Sequence, residues 1–175
     1  IRDAKASGSV NGSGSVGGLV GDNDGTIVSG VATGDITGAE DVGGLSGDNE
    51  EDATIRNATA SGSVSGTDNV GGVVGNNQGT IIASTGAGNV NGSDGIGGLV
   101  GDNDGEGTDD GIVSRSSASG EVTGQDDVGG LVGSNFGGRI SLSAATGSVT
   151  AQSSFADAGG LVGGNFRGGI INQSY

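Results

Sequence analysis

The chain has 175 residues and a net charge of −15; 43 residues are glycine, the only aromatic residues are three Phe and one Tyr, and Cys, Pro, Met, Trp and His are absent. So few large apolar side chains cannot fill one compact core of this length, and without Cys there are neither disulfides nor thiolate metal sites. The negative charge opposes binding to nucleic acid, and no apolar run is long enough to span a bilayer. We therefore expect neither a nucleic-acid partner nor membrane insertion.

In chain order, each repeat unit has a short apolar start, a stretch that ends in Val or Ile, and a glycine-rich stretch. The starts are Ile1, Ile27, Ile55, Ile81, Val113, Ile140 and Ile170. The second stretch reads VATGDI at 31–36, and the third reads VGGLVGDN at 16–23 and returns at 42, 70, 96, 128 and 158. Apolar stretches separated by Gly, Ser, Asn and Asp are typical of strands and turns, and frequent Gly disfavours helices.

The copies begin 26–32 residues apart, which is a period typical of solenoids. The sequence predicts an all-β, right-handed parallel β-solenoid (β-helix) that forms a single domain over residues 1–175. It predicts about six coils of 26–32 residues with three strands per coil, and the right hand follows the general preference of parallel crossovers. We find no polar cap at either end, so we expect the ends to pair with further repeats or with other copies.

Two positions carry the same residue in every unit. We predict that the glycine of the second stretch lies at a corner that needs either positive φ or a close backbone approach. This column contains Gly8, Gly34, Gly62, Gly88, Gly120 and Gly147. The Asn that ends the third stretch adopts αL at many turns, and stacked Asn amides bond along a rod, so we predict a structural ladder rather than a binding site. The ladder contains Asn23, Asn49, Asn77, Asn103, Asn135 and Asn165.

The direction of the Leu in the third stretch has two alternatives. Strict alternation along one strand places Val16, Gly18 and Val20 on one side and Leu19 on the other. Either a bulge at the glycine pair turns all of these side chains inward, or a stripe that includes Leu99 is exposed and associates rods sideways. Leu99 is therefore a candidate contact for lateral assembly.

The units resemble GLUG repeats, which are named for the G-L-hydrophobic-G core seen here as GLVG, GLSG and GVVG. The ATG or ASG element and the Asn after GLVG also match, and the resemblance covers nearly the whole chain. GLUG repeats occur mostly in large secreted or surface proteins of bacteria and archaea, including adhesin-like ones. The resemblance implies an extracellular or cell-surface location and a structural or adhesive role, and it carries over no catalytic residues.

Acidic residues gather in the loop after the GLVG core. Because carboxylate oxygens suit Ca²⁺, five of them are weak candidate metal ligands, namely Asp102, Asp104, Glu106, Asp109 and Asp110. The sequence contains neither the calcium nonapeptide nor an EF-hand loop, and a solvated acidic rim is the simpler interpretation. With no His and with Lys5 as the only Lys, we expect no enzyme and no resident cofactor. A Ca²⁺- or glycan-binding module of a larger adhesin is the alternative function.

The last third of the chain differs from the rest in charge and in aromatic content. Residues 128–175 hold one acid, two Arg and all four aromatic residues. Phe136, Phe166 and Tyr175 are candidate contacts for head-to-tail self-association into filaments, although contact with a neighbouring domain explains them equally well. Four Asn-x-Ser/Thr sites permit glycosylation without implying it, at Asn11, Asn57, Asn91 and Asn172.

Overall fold

The structure is a computed structural model that describes residues 1–105 and 110–175. These residues form a parallel β-solenoid of six coils, and the described residues contain no helix. Each coil has five short strands, and strands from successive coils stack into five six-stranded parallel sheets. We number the five sheets as faces 1 to 5 in the order in which a coil passes through them.

The strands have the following bounds. Face 1 consists of Thr26–Val28, Thr54–Arg56, Thr80–Ile82, Ile112–Ser114, Arg139–Ser141 and Ile170–Asn172. Face 2 consists of Lys5–Ala6, Val31–Ala32, Thr59–Ala60, Thr85–Gly86, Ser117–Ala118 and Ala144–Ala145. Face 3 consists of Val10–Asn11, Ile36–Thr37, Val64–Ser65, Val90–Asn91, Val122–Gly124 and Val149–Ala151. Face 4 consists of Val16–Gly17, Glu40–Gly43, Asp68–Gly71, Asp94–Gly97, Asp126–Gly129 and Ala158–Gly159. Face 5 consists of Val20–Asn23, Ser46–Asn49, Val74–Asn77, Val100–Asp104, Val132–Phe136 and Val162–Phe166.

The prediction of three strands per coil is wrong, because two of the three apolar stretches bend in the middle. The second stretch divides into faces 2 and 3 on either side of Thr33–Asp35, and the third divides into faces 4 and 5 at Gly44–Leu45. A glycine lies at each bend, Gly34 and Gly44, where the carbonyl oxygen of a neighbouring coil leaves no room for a Cβ. The period, the six coils and the parallel stacking are as predicted, whereas the number of strands per coil is five.

Successive coils are in register on every face, so equivalent residues form continuous columns. Ile55 pairs with Ile27 on one side and with Ile81 on the other, and the column continues through Val113 to Ile140. Neighbouring parallel strands lie about 4.8 Å apart, so six coils make a rod about 30 Å long. Face 1 has one additional pairing at its start, where Arg2 forms an isolated parallel bridge with Val28.

The core has two lobes separated by a waist of small residues. The larger lobe contains the face 1 column and Leu45, Leu99 and Leu131, and the smaller lobe lies between faces 3 and 4. At the waist, a Cβ added to Gly44 would lie 2.9 Å from the Ala60 Cβ and 2.2 Å from the Gly72 carbonyl oxygen. Small residues are therefore required where opposite sides of the coil meet.

Leu99 and its counterparts point into the larger lobe, so the exposed-stripe alternative is wrong. Leu45, Leu99 and Leu131 are 0% exposed. The alternation expected along a single strand does not apply here. Face 4 ends at Gly43 and face 5 begins at Ser46, so the two-residue corner between them changes which side chains point inward. A corner rather than a bulge turns these side chains inward, and Leu99 has no surface with which to contact another rod.

Positive φ occurs at columns other than the two that the sequence suggested, and one of them lies within face 4 at Asp41, Asn69, Gly95 and Asp127. Seven residues at the corner between faces 1 and 2 have φ of 50–55°: Asp3, Ser29, Asn57, Ala83, Arg115, Leu142 and Gln173. The ladder asparagines are not among the positive-φ residues, and neither are the glycines of the Gly8 column. Those glycines serve close approach instead, because a Cβ on Gly34 would lie 2.1 Å from the Gly8 carbonyl oxygen.

Candidate functional site

Hydrogen bonds join the ladder asparagines into a continuous chain along the C-terminal ends of the face 5 strands. The Nδ2 of each donates to the Oδ1 of the next coil's Asn at 2.7–2.8 Å, from Asn23 through to Asn165. Most of them also donate to the carbonyl of the following corner, as Asn77 does to Gly79 at 3.1 Å. The side chains of Asn49, Asn77, Asn103 and Asn135 are buried, and this chain of amides satisfies them without water.

A second ladder, which was not predicted from the sequence, runs through the serines of the corner between faces 1 and 2. The backbone N–H of Ser84 donates to Ser116 Oγ at 3.1 Å, and that of Ser116 donates to Ser143 Oγ at 3.1 Å. Each of these hydroxyls donates to the carbonyl two residues earlier. The available signal in the sequence was the recurrence of Ser at this position in its last four copies, namely Ser84, Ser116, Ser143 and Ser174.

Two outward columns on faces 4 and 5 carry most of the partly buried acids. One contains Asp22, Asp48, Asn76 and Asp102 in register along face 5. The other contains Asp41, Asn69 and Asp127, where Asn69 Nδ2 donates to Asp41 Oδ1 at 2.9 Å. Ser15 Oγ donates to Asp48, and Ser134 Oγ donates to Asp127 at 2.9 Å.

Burial and mutual repulsion raise the pKa of several of these carboxyl groups. Desolvation, followed by repulsion from Asp104, raises the pKa of Asp102 to about 6. Burial is likewise the largest cause of the raised pKa of Asp48 and of Asp127. Among the described residues, Asp102 Oδ1 and Asp104 Oδ1 are buried and have no hydrogen-bond partner.

The described residues do not assemble the predicted calcium ligands into a metal site. No group of three or more acids in this part of the chain is arranged to hold a metal ion. Asp104 and Asp110 line a cavity of about 70 Å³ together with Glu51 and Gln78, and Asp102 is not part of its lining. The other two candidates, Glu106 and Asp109, lie outside the described residues.

The aromatic residues lie on the last two coils. The rings of Phe136 and Phe166, which are partners in face 5, have centroids 6.3 Å apart, and the guanidinium carbon of Arg167 lies 4.5 Å from the centre of the Phe136 ring. Tyr175 is 81% exposed. Phe136 and Phe166 therefore join neighbouring coils of the same chain, whereas Tyr175 presents its ring to the surface.

Two coils of the chain match the model of a known protein family. The family model described as the GLUG motif matches residues 38–65 and 124–150. Each matched range spans about one coil, from the end of one face 3 strand through faces 4, 5, 1 and 2 to the next face 3 strand. Searches of curated proteins and of solved structures find no match. The described part of the chain contains no helix that would cross a bilayer.

Proposed function

We propose that the chain is a structural or adhesive repeat module of an extracellular or cell-surface protein, and that it assembles head-to-tail. The observation that supports this proposal is the use of the recurring residues. The glycine, leucine and asparagine columns all contact the next coil, so these residues serve stacking. A right-handed coil, as expected for parallel crossovers, belongs to the same proposal.

The surface of the rod fits an exposed location. The Asn of each of the four glycosylation sequences lies at an exposed position, at Asn11, Asn57, Asn91 and Asn172. The absence of Cys means that the fold does not depend on the redox state of its compartment. Its stability comes from stacked columns, which suits a spacer that must keep its length outside the cell.

The location is tested by protease treatment of intact source cells, followed by detection with an antibody against the rod. We expect the signal to be lost from intact cells while a cytoplasmic marker protein remains. A signal that is lost only after lysis would contradict the extracellular part of the proposal.

A Ca²⁺- or glycan-binding module is the second candidate, and the acidic cavity of Glu51, Asp104 and Asp110 is the observation that favours it. Thermal unfolding followed with added Ca²⁺ and then with excess EDTA separates the candidates. A structural module keeps the same melting temperature under both conditions, whereas a calcium module melts several degrees higher with Ca²⁺. Specific retention on a glycan array would favour the glycan-binding alternative instead.

A further inference from the structure

Two glycine columns have no room for a Cβ, because in one the preceding coil and in the other the following coil lies too close. In each column one terminal glycine lacks that neighbouring coil and has room for a side chain. In the first column, a Cβ on Gly34, Gly62, Gly88, Gly120 or Gly147 would lie 1.8–2.1 Å from the carbonyl oxygen of the preceding coil's glycine. Such distances exclude any side chain. At Gly8, which begins this column, an added Cβ meets nothing within 4 Å.

The second column has the opposite direction. A Cβ on Gly44, Gly72, Gly98 or Gly130 would lie 2.1–2.3 Å from the carbonyl oxygen of the following coil's glycine. Gly160 ends this column, and an added Cβ there meets nothing within 4 Å. The first coil therefore has a glycine suited to a coil before it, and the last coil has one suited to a coil after it.

The asparagine ladder is directional and is open at the first coil. In each of the five bonds of the ladder, the Nδ2 of one Asn donates to the Oδ1 of the Asn in the following coil, toward the C-terminal end. Asn23 is only 6% exposed, and no described residue donates to its Oδ1. At the other end, Asn165 donates to Gly169 and has no further Asn beyond it. This oxygen is not one of the buried unpartnered atoms of the described residues, so it reaches solvent, and an incoming amide would replace water as its donor.

The apolar columns are also unfinished at both ends. Leu19 and Val20 in the first coil and Leu161 and Val162 in the last are only partly buried, whereas Leu45 and Leu131 are fully buried. At the C-terminal end, Gly147, Val149, Ala158, Gly159 and Gly160 line an open groove of about 340 Å³. The groove lies along the free edges of faces 3 and 4.

We propose that the C-terminal end of one copy receives the N-terminal end of a second copy with all five faces in register. In this arrangement the second copy's Gly18 lies over Gly160, its Gly8 lies over Gly147, and its Asn23 accepts from Asn165. Both open glycine positions then have the close carbonyl contact seen inside the rod. This inference rests on the head-to-tail assembly proposed above and assigns the residues that make the contact.

The two terminal segments of the chain oppose this contact, because they compete for the same position in the docked rod. Face 1 has seven stacked positions, since Arg2 adds one to the six strands, and Tyr175 occupies a seventh position on face 2 through bonds with Ser143 and Ala145. In-register docking places residues 1–6 of the second copy where residues 170–175 of the first copy lie. One of these segments must leave. Residues 1–3 are held by an isolated bridge to Val28 and by the terminal amine's bond to Thr26, whereas residues 170–172 form a complete strand of face 1. We assign the displaced segment to residues 1–6 of the incoming copy.

The contact is tested with Gly8→Ala and Gly160→Ala, using sedimentation velocity over a range of protein concentrations. Both positions have room for a Cβ within one chain, so circular dichroism and the melting temperature should match those of the parent chain. We expect the parent chain to form concentration-dependent oligomers and each variant to remain monomeric. Gly14→Ala is the matched control, because an added Cβ at Gly14 also meets nothing within 4 Å. Gly14 belongs to the same column as Glu40, whose side chain is exposed, so this column accepts side chains and the variant should assemble as the parent does.

Mixing the two variants gives a sharper result. Gly8→Ala retains a free C-terminal end and Gly160→Ala retains a free N-terminal end, so the mixture should form dimers and nothing larger. Oligomers of the parent chain that both variants preserve would overturn this contact while leaving head-to-tail assembly intact. A parent chain that stays monomeric at all concentrations would overturn the assembly as well.

Deletion of residues 1–6 tests the competition between the terminal segments. Because the deleted chain no longer competes with residues 170–175, we expect it to associate at a concentration at least about 10-fold lower than the parent does. Unchanged or weaker association of the folded deletion variant would overturn the in-register arrangement.

Discussion

The ladder asparagines show how one residue type connects coils that are far apart in sequence. Asn77 is 0% exposed, accepts from Asn49 and donates to Asn103 and to the carbonyl of Gly79. The two bonds to the neighbouring asparagines join residues 28 and 26 positions apart. Loss of one amide therefore leaves polar groups unpaired in both neighbouring coils.

Asn77→Ala should lower the free energy of unfolding by about 2–4 kcal/mol, because Asn49 Nδ2 and Asn103 Oδ1 would each lose a partner in a buried site. Urea titration followed by circular dichroism measures the change. Asn91→Ala, at an exposed position, is the control and should stay within about 0.5 kcal/mol of the parent. Equal effects of the two substitutions would contradict a stabilising ladder.

Asp102 is the residue that links stability to pH. Its pKa is raised to about 6, so ionisation at neutral pH disfavours the folded chain. This penalty is fully present above the folded pKa and disappears as the pH falls through about 6 toward the pKa of the unfolded chain. The raised pKa values of Asp48 and Asp127 act in the same direction.

The melting temperature should therefore rise between about pH 7.5 and pH 5. Asp102→Asn, which copies the amide of Asn76 in the neighbouring coil, should raise stability at pH 7.5 by on the order of 1–3 kcal/mol and flatten the pH dependence. Asp68→Asn, at an exposed position, is the control. Thermal melts at both pH values measure the effect, and a profile that Asp102→Asn leaves unchanged would contradict the assignment.

At the scale of the element, corners determine the direction of side chains more than strand alternation does. The strands of the faces are two to five residues long, so a corner interrupts the alternation of side chains after every few residues. The Gly44–Leu45 corner places Val42 and Leu45 both inside, although they lie three residues apart on what resembles one strand. Alternation is a reliable guide only within a strand.

Leu99→Asp should prevent folding, since it places a charge in the larger core lobe, and Leu99→Ala should cost about 2–5 kcal/mol. Circular dichroism and urea titration measure both. Leu142→Asp is the control, because Leu142 is 50% exposed and has φ of 52°, which Asp adopts more readily than Leu. A folded Leu99→Asp chain would contradict the inward direction of this column.

For the whole molecule, stability and length follow from the number of stacked coils, because each coil contacts mainly its neighbours. The GLUG-matched range 38–65 is one complete coil, and it begins and ends at the same point of the cross-section. Such a unit can be repeated without a change in the path of the chain.

Three additional tandem copies of residues 38–65, inserted after Ser65, should lengthen the rod by about 14 Å and keep it folded. Small-angle X-ray scattering measures the maximum dimension. An insert of the same composition in scrambled order should instead add a flexible segment. If the duplicated chain gave the same scattering as the scrambled one, the coil would not be an independent stacking unit.

The sequence by itself determined the period, the parallel stacking and the residues that form columns, because each of these is a repeated spacing that can be measured along the chain. The recurrence of Asn at one position was sufficient to predict its ladder. The tertiary structure decided the number of faces, the inward direction of Leu99, the columns that hold positive φ, and the separation of Asp102 from the cavity of Asp104 and Asp110. These features depend on how sharply each corner turns the coil and on which residues of the next coil lie within contact distance. Neither is encoded in local spacing, because the contacting residues are 26–32 positions apart and meet only after the coils have stacked.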